Sequence, residues 1–383
     1  MNKRIKINKD DKVLLVALSG MGNAIMLSPT IATLKKNCPE NLLYLLTRLK
    51  SVERLYNCSD VFEEIFVIET SESKLTIIKK LLELRKINFD VMLVGFPSNR
   101  IEYNIVSAFI NAKYRLIHSY PKFDWRTLNW VNNIRIPAIE RIHDVEQNMR
   151  LLSVFEGSEK WNNEKETFIC TDEESEKKAE EICLDTNNKK PAICFHFSSA
   201  SSGTAEKIGK GKRERTEKIV EKLFIVMNRI KQKVGDDVGF FYIIGPGESG
   251  IKSIICEKVN RLEKVIAQHI HFIENEDILT VACLLRKMDV LFNFDSGIGH
   301  LASAVGTNVI TKMGHTDPTR TRPWGDNVKV IEPDLPCFPC KAYPFHSTNP
   351  KVKCKKSFIC VENFDVVEIE RSIIETIRAK RQR

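Results

Sequence analysis

At 383 residues, 43% of them hydrophobic, the chain has enough material for two α/β domains and is not globally disordered. Its net charge of +9, from 59 basic and 50 acidic residues, admits an anionic partner (nucleic acid, a phosphorylated substrate or a membrane surface) without choosing one. Residues 1–12 are polar and the apolar run 13–18 is too short for a leader or a membrane span, so a cytosolic chain with mostly reduced cysteines is expected.

Residues 13–18 read as a strand buried on both faces, Ser19-Gly20-Met21-Gly22 as a turn, and residues 23–37 as a helix. The glycines let backbone approach a ligand closely. The third glycine position of a dinucleotide fingerprint holds Ile25, so a nicotinamide or flavin enzyme is disfavoured. Strands at 42–47, 65–68, 89–94 and 114–117, with a helix at 74–86, continue an alternation that argues for a parallel sheet. Residues 95–100 form a polar loop at the same end of that sheet. Residues 123–139, with Trp125, Trp130 and Pro137, break the rhythm and read equally as an acceptor loop or a core-covering insertion. Residues 141–155 read as helix.

The polar stretch 160–190 marks the domain boundary, giving domains 1–185 and 186–383. The second opens with a strand at 192–197. It runs into a small-residue loop with Ser199, Thr204 and Lys207, then Lys210, Lys212, Arg213 and Arg215. Hydroxyls, amides and a lysine beyond a strand's carboxyl end suit phosphate. A helix (215–234), a strand (239–244), the turn Gly245-Pro246-Gly247-Glu248 and a helix (277–287) follow. The chain then reaches DVLFNFDSGIGHLASAVGTNVITKMGHTDP from Asp289 to Pro318. Here a buried strand ends in Asp295-Ser296-Gly297 just before a helix, which turns free backbone N–H groups toward one point and suits an anion.

Cys337-Phe-Pro-Cys340, Cys354 and Cys360 form the one dense group among eleven cysteines. Four thiolates could complete a tetrahedral zinc or iron site, structural because no coordination position stays open. The bland alternative is a reduced cluster. With Lys341, Lys351, Lys353, Lys355 and Lys356 beside it, a zinc-ribbon nucleic-acid binder is a minor reading, disfavoured by the shortage of aromatics to stack bases. The final helix, 366–377, ends in a basic tail.

In this order, the Gly20-Met21-Gly22-Asn23 turn, Asp295-Ser296-Gly297 with His300-Leu301-Ala302, and Gly314-His315-Thr316-Asp317-Pro318 resemble glycosyltransferase family 9, the ADP-heptose:lipopolysaccharide heptosyltransferases. The resemblance implies an α/β GT-B architecture of two Rossmann-like domains facing across a cleft. It implies an acceptor on the first domain, an ADP-sugar on the second, inversion at the anomeric carbon, and no cofactor required for catalysis. Members are cytoplasmic, soluble or peripheral at the inner membrane. The acceptor would be lipopolysaccharide core or another glycan, lipid-linked or protein hydroxyl, with no nucleic acid partner. Asp295, Ser296, Gly297 and His300 would hold the donor, with Ser199, Thr204 and Gly245 around it and Lys207 on the phosphates. Gly20, Met21 and Gly22 would lie on the acceptor side. The family's general-base Asp is Asn23 here. An amide takes no proton at neutral pH. Asp90, Glu102 or Asp124 would then serve, or the acceptor would need little base, or the chain would bind a nucleotide sugar without transferring it.

Overall fold

Each apolar run of strand length becomes a parallel strand covered by helices on both faces, as its lack of a polar alternation demands. The computed structural model describes residues 4–186, 189–197, 210–262, 264–351 and 354–382. The chain divides into two units. One is Met1–Cys170 with Thr319–Trp324 and Lys341–Val352; the other is Thr171–Pro318, Gly325–Cys340 and Lys353–Arg383.

The first unit runs β1 (Lys12–Ala17), α1 (Met21–Asn37), β2 (Leu42–Thr47), α2 (Lys50–Tyr56), β3 (Glu64–Val67), α3 (Lys74–Lys86), β4 (Val91–Val94), α4 (Ile101–Ile110), β5 (Tyr114–Ser119), β6 (Ile134–Pro137) and α5 (Asp144–Arg150). Its parallel sheet has the order β3-β2-β1-β4-β5-β6. Strand order reverses between β1 and β4, and the loops beyond their carboxyl ends are where such a sheet opens a crevice. Leu14, Val16, Met92 and Val94 pack against Leu81, Leu84, Tyr103 and Ile110 of α3 and α4. Pro29 sits inside α1 and cannot donate to Ile25 four residues back. The Ser28 hydroxyl donates to that Ile25 carbonyl instead, at 2.7 Å.

The second unit runs α6 (Glu173–Asp185), β7 (Ala192–His196), α7 (Lys210–Val234), β8 (Gly239–Ile244), α8 (Ser249–Leu262), α9 (Lys264–Ala267), β9 (Ile270–Glu274), α10 (Ile278–Lys287), β10 (Val290–Phe294), α11 (Gly297–Ala304) and β11 (Asn308–Lys312). After α12 (Pro318–Thr321), most of which belongs to the first unit, come β12 (Val328–Ile331), α13 (Ile359–Glu362) and α14 (Val366–Arg381). Its sheet order, β12-β11-β10-β7-β8-β9, reverses between β10 and β7. Phe195 anchors its core against Phe240, Tyr242 and Phe292. Such ring pairs add about 0.5–1.5 kcal/mol each beyond buried area.

Two expectations are corrected. The boundary falls at Cys170, not 185, because α6 packs on α10 of the second unit and Glu180 pairs with Lys287 at 3.1 Å. The irregular stretch 123–139 contains β6, an edge strand whose alternating apolar residues Ile134 and Ile136 are too few to register as a period. Nine of the eleven cysteines are free, in line with mostly reduced thiols, while Cys58 and Cys170 form a disulfide.

Candidate functional site

In the second unit, β10 stops at Phe294, and Ser296 caps α11 with extended backbone and no side-chain capping bond. Gly297 and Ile298 therefore open the helix with N–H groups that have no intrahelical acceptor. Asp295 is pinned by two bonds: its N–H donates to the Lys312 carbonyl at 3.1 Å, and its carboxylate accepts from the Thr316 hydroxyl. The Gly314–Pro318 loop is thereby tied to the turn. Burial pushes the Asp295 pKa up, against the Thr316 bond and the nearby His315 ring.

Asn293, fully buried under the turn, explains the small residue two positions into α11. A Cβ on Gly299 would stand 2.5 Å from the Asn293 amide nitrogen. The amide of Asn293 donates to Phe294 O at 3.0 Å and its oxygen accepts from Thr311 at 2.7 Å. His300 is buried on the next turn of α11.

His196, which the sequence alone does not single out, completes this end of the sheet together with Glu248 of the Gly245–Glu248 turn. His196, the last residue of β7, places Nδ1 3.1 Å from Ser296 Oγ and Nε2 3.8 Å from a Glu248 carboxylate oxygen. Glu248 in turn accepts from the Gly245 N–H at 2.7 Å. Burial lowers the His196 pKa despite Glu248, so the imidazole is neutral at neutral pH. His196 was hidden because a lone histidine at the end of an apolar strand carries no spacing signal. Gly245, Asp295, Ser296, Gly297 and His300 thus lie at the carboxyl ends of β8 and β10 or in α11. Ser199, Thr204 and Lys207 fall outside the described residues, as do the side chains of Lys210 and Lys212. A separate cavity of about 460 Å³, lined by Cys183, Lys189, Ala192 and Met288, is at the opposite, amino end of this sheet.

In the first unit, Gly20 caps α1, so Met21, Gly22 and Asn23 are its first three residues and the helix starts two positions earlier than expected. Asn23 N–H donates to Gly20 O at 3.0 Å. Its side-chain oxygen turns back over Gly20, 3.8 Å from where a Cβ there would sit. Ser19 Oγ lies 2.7 Å from the phenolic oxygen of buried Tyr103, joining the loop beyond β1 to helix α4 at the switch point.

Of the alternative carboxylates, Asp90 accepts from Lys12 N–H at 3.0 Å, at the amino ends of β1 and β4, far from Asn23. Asp124 is committed to Tyr120 N–H and Asn129, both at 2.7 Å. Glu102 begins α4 at the correct end, paired with Arg100 at 2.6 Å. Burial raises its pKa, but Arg100 outweighs this and leaves it below the usual carboxylate range. Elsewhere in this unit, buried Asp144 holds Arg320 through contacts of 3.1–3.2 Å, and the guanidinium lies over the Phe96 and Phe345 rings.

Cys337, Cys340, Cys354 and Cys360 line one apolar cavity with His315 and Phe338, large enough for about one water. Cys340 N–H donates to the His315 carbonyl at 3.0 Å, and Phe358 N–H to Cys354 Sγ at 3.2 Å. The donor set suits a thiophilic ion in kind. Its arrangement does not close: among the described residues no three His, Cys, Asp or Glu side chains are placed to hold one metal ion.

Residues 261–349 match the family model of glycosyltransferase family 9 (heptosyltransferase). This segment carries β10, α11 and the Gly314–Pro318 loop. No curated protein matches the sequence. Among solved structures, the chain is similar to a family 9 glycosyl transferase from Veillonella parvula, at 13% identity and a TM-score of 0.69, covering 97% of this chain and 99% of that one. E. coli ADP-heptose lps heptosyltransferase II gives 13% identity, a TM-score of 0.68 and the same coverage. E. coli heptosyltransferase WaaC with ADP gives 15%, 0.61, and 95% and 99% coverage. At such identities the likeness establishes the fold, that of the GT-B glycosyltransferases, and no helix among the described residues is long and apolar enough to cross a membrane. The sequence similarity to glycosyltransferase family 9 thus rests on residues 261–349, while the fold is shared along the chain.

Proposed function

We propose that the chain transfers a heptose, or a related sugar, from an ADP-linked donor to a hydroxyl of lipopolysaccharide core or of another glycan, lipid-linked or protein acceptor, with inversion and without a catalytic metal. The observation that carries this is the constellation of Asp295, Ser296 and His196 at the β7/β10 switch point, where a free helix N-terminus meets a neutral imidazole. The pyrophosphate would rest on the opening N–H groups of α11, which favour negative charge. Charge grows on the departing diphosphate as the glycosidic bond breaks, and donors fixed in advance stabilise it most. Solved relatives were obtained with ADP and with ADP-2-deoxy-2-fluoro heptose, which supports an ADP-sugar.

On the acceptor side, Asn23 would accept a hydrogen bond from the attacking hydroxyl and orient it, and the hydroxyl proton would pass to water as the new C–O bond forms and the ADP departs. The rate then rests on leaving-group stabilisation. We place the reaction in the cytoplasm. Cys337, Cys340, Cys354 and Cys360 are the right kind of donors for a structural zinc or iron but would have to draw together to hold one; metal analysis of the purified protein tests this. The transfer itself is tested by incubating protein, ADP-heptose and a heptose-deficient core acceptor and following ADP release and product mass. Donor binding without product, in the wild type and in Asn23→Asp alike, would reduce the chain to a nucleotide-sugar binder.

A further inference from the structure

The cavity at the amino end of the second unit's sheet follows from two small residues. Ala192 opens β7 directly beside Gly239, the first residue of β8. Strands ordinarily place branched or aromatic side chains at such positions; here one face carries a methyl group and a hydrogen. A Cβ on Gly239 would stand 2.8 Å from a Phe241 ring carbon and 2.8 Å from Lys189 Cβ. The glycine therefore lets the Phe241 ring lie back over the start of β8. His271, paired with Phe241 from β9, packs against that ring with centroids 5.1 Å apart.

Helices α6 and α10, which pack on each other, supply the walls through Leu184 and Met288. Leu184 is 63% exposed, an apolar wall left to water. The space measures about 460 Å³, within the range of small-molecule sites.

Around this apolar interior the rim is basic: Lys189, Lys190 and Lys287 stand against one carboxylate, Glu180. Both helices end at the cavity, and the dipole at a helix's carbonyl end repels anions. That repulsion is offset within the protein. Lys190 donates to Lys287 O of α10 at 2.8 Å, and Thr186 Oγ donates to Cys183 O of α6 at 2.9 Å. Lys287 is committed to Glu180 at 3.1 Å, and Lys190 lies 3.7 Å from Asp289. Lys189 is left over: among the described residues no carboxylate pairs with it.

A neutral apolar guest would leave Lys189 unused, and an inorganic anion would leave the apolar walls facing water. We propose that this cavity is a second binding site, apart from the donor turn, for a small amphipathic anion. Its apolar body rests on Phe241, Leu184 and Met288, and its single carboxylate, phosphate or sulfonate head meets Lys189. Binding here is independent of sugar transfer.

The test is fluorescence titration of the full chain with 8-anilinonaphthalene-1-sulfonate, an aromatic body with one anionic head. Emission should rise to saturation and should not fall when ADP-heptose is added. Lys189→Glu and Leu184→Glu should each weaken binding about tenfold or more, as loss of a bond to a charged group and introduction of a like charge require. Both positions are at the surface, so circular dichroism should be unchanged. Lys189→Glu should leave affinity for the uncharged N-phenyl-1-naphthylamine as it is in the wild type. Absence of saturable binding, wild-type affinity in both variants, or displacement by ADP-heptose overturns the proposal. Equal loss of the charged and uncharged probes in Lys189→Glu overturns the assignment of the anionic head.

Discussion

The ring nitrogen Nδ1 of His196 lies 3.1 Å from the hydroxyl oxygen of Ser296. That contact spans the point where strand order reverses, between β7 and β10. With the Glu248 carboxylate 3.8 Å from Nε2, the ring proton belongs on Nε2, which leaves Nδ1 to accept from Ser296. The turn that would cradle the diphosphate is held from the neighbouring strand. Replacing His196 with alanine removes this brace without removing an N–H donor of α11. ADP affinity in His196→Ala should fall by up to about tenfold, the upper range for one hydrogen bond between neutral groups, as read by calorimetric titration. An affinity equal to wild type would make the contact incidental.

Gly299 and Asn293 form a second coupled pair. Gly299→Ala should destabilise the fold by about 1–3 kcal/mol, the usual cost of forcing a methyl into a packed site, because Asn293 must leave its bonds to make room. Denaturant unfolding of Gly299→Ala, Asn293→Ala and the double variant gives the coupling. The double variant should be more stable than the sum of the single losses requires; simple additivity would mean the methyl is accommodated elsewhere.

Arg320 and Asp144 are both buried, so each depends on the other for compensation of its charge. Arg320→Leu takes the guanidinium counter-charge from the buried Asp144 carboxylate and should cost about 3–5 kcal/mol. Adding Asp144→Leu should restore most of that loss, since a buried pair is worth little more than apolar residues of its size. Failure of the second substitution to recover stability would point to the guanidinium stacked over Phe96 and Phe345 as the larger contribution.

Acid should weaken the protein well above the range where carboxylates titrate. Burial, more than any partner, lowers the pKa of His118 to about 3 and of His143 to about 4, against 6.5 in the unfolded chain. Below pH 6.5 the unfolded state binds protons that the native state refuses, so stability falls as pH falls. The loss from His143 is complete near pH 4 and that from His118 near pH 3. Each group costs about 1.4 kcal/mol per pH unit within its window. Unfolding free energy should therefore drop by about 4 kcal/mol between pH 7 and pH 5. His118→Asn should flatten that slope, and an unchanged slope would remove the assignment.

Much of this was legible before the fold was known. Buried parallel strands announce themselves as unbroken apolar runs, and the small polar residues after residue 294 mark a strand-to-helix turn, the one proposed to hold the donor. What stayed hidden depends on partners distant in sequence. Nothing near Arg320 names Asp144, and nothing near His196 names Ser296. The strand Ile134–Pro137 was missed because it is too short for its alternation to show and lies in a stretch dominated by two tryptophans. The exposure of α4 was unreadable for a related reason: Ile101, Ile105 and Phe109 have the spacing of a buried stripe, and only the inward turn of Asn104 and Ser107 shows which side meets the sheet.

The most direct test of donor binding at the Asp295 turn is thermal unfolding of the wild type and of Asp295→Ala, each with and without saturating ADP-heptose. At 100 times its dissociation constant the ligand should add about 2.7 kcal/mol to the wild type, and the variant, deprived of the carboxylate that anchors Thr316, should gain little. An equal gain in both proteins, or none in the wild type, would contradict a donor site at this turn.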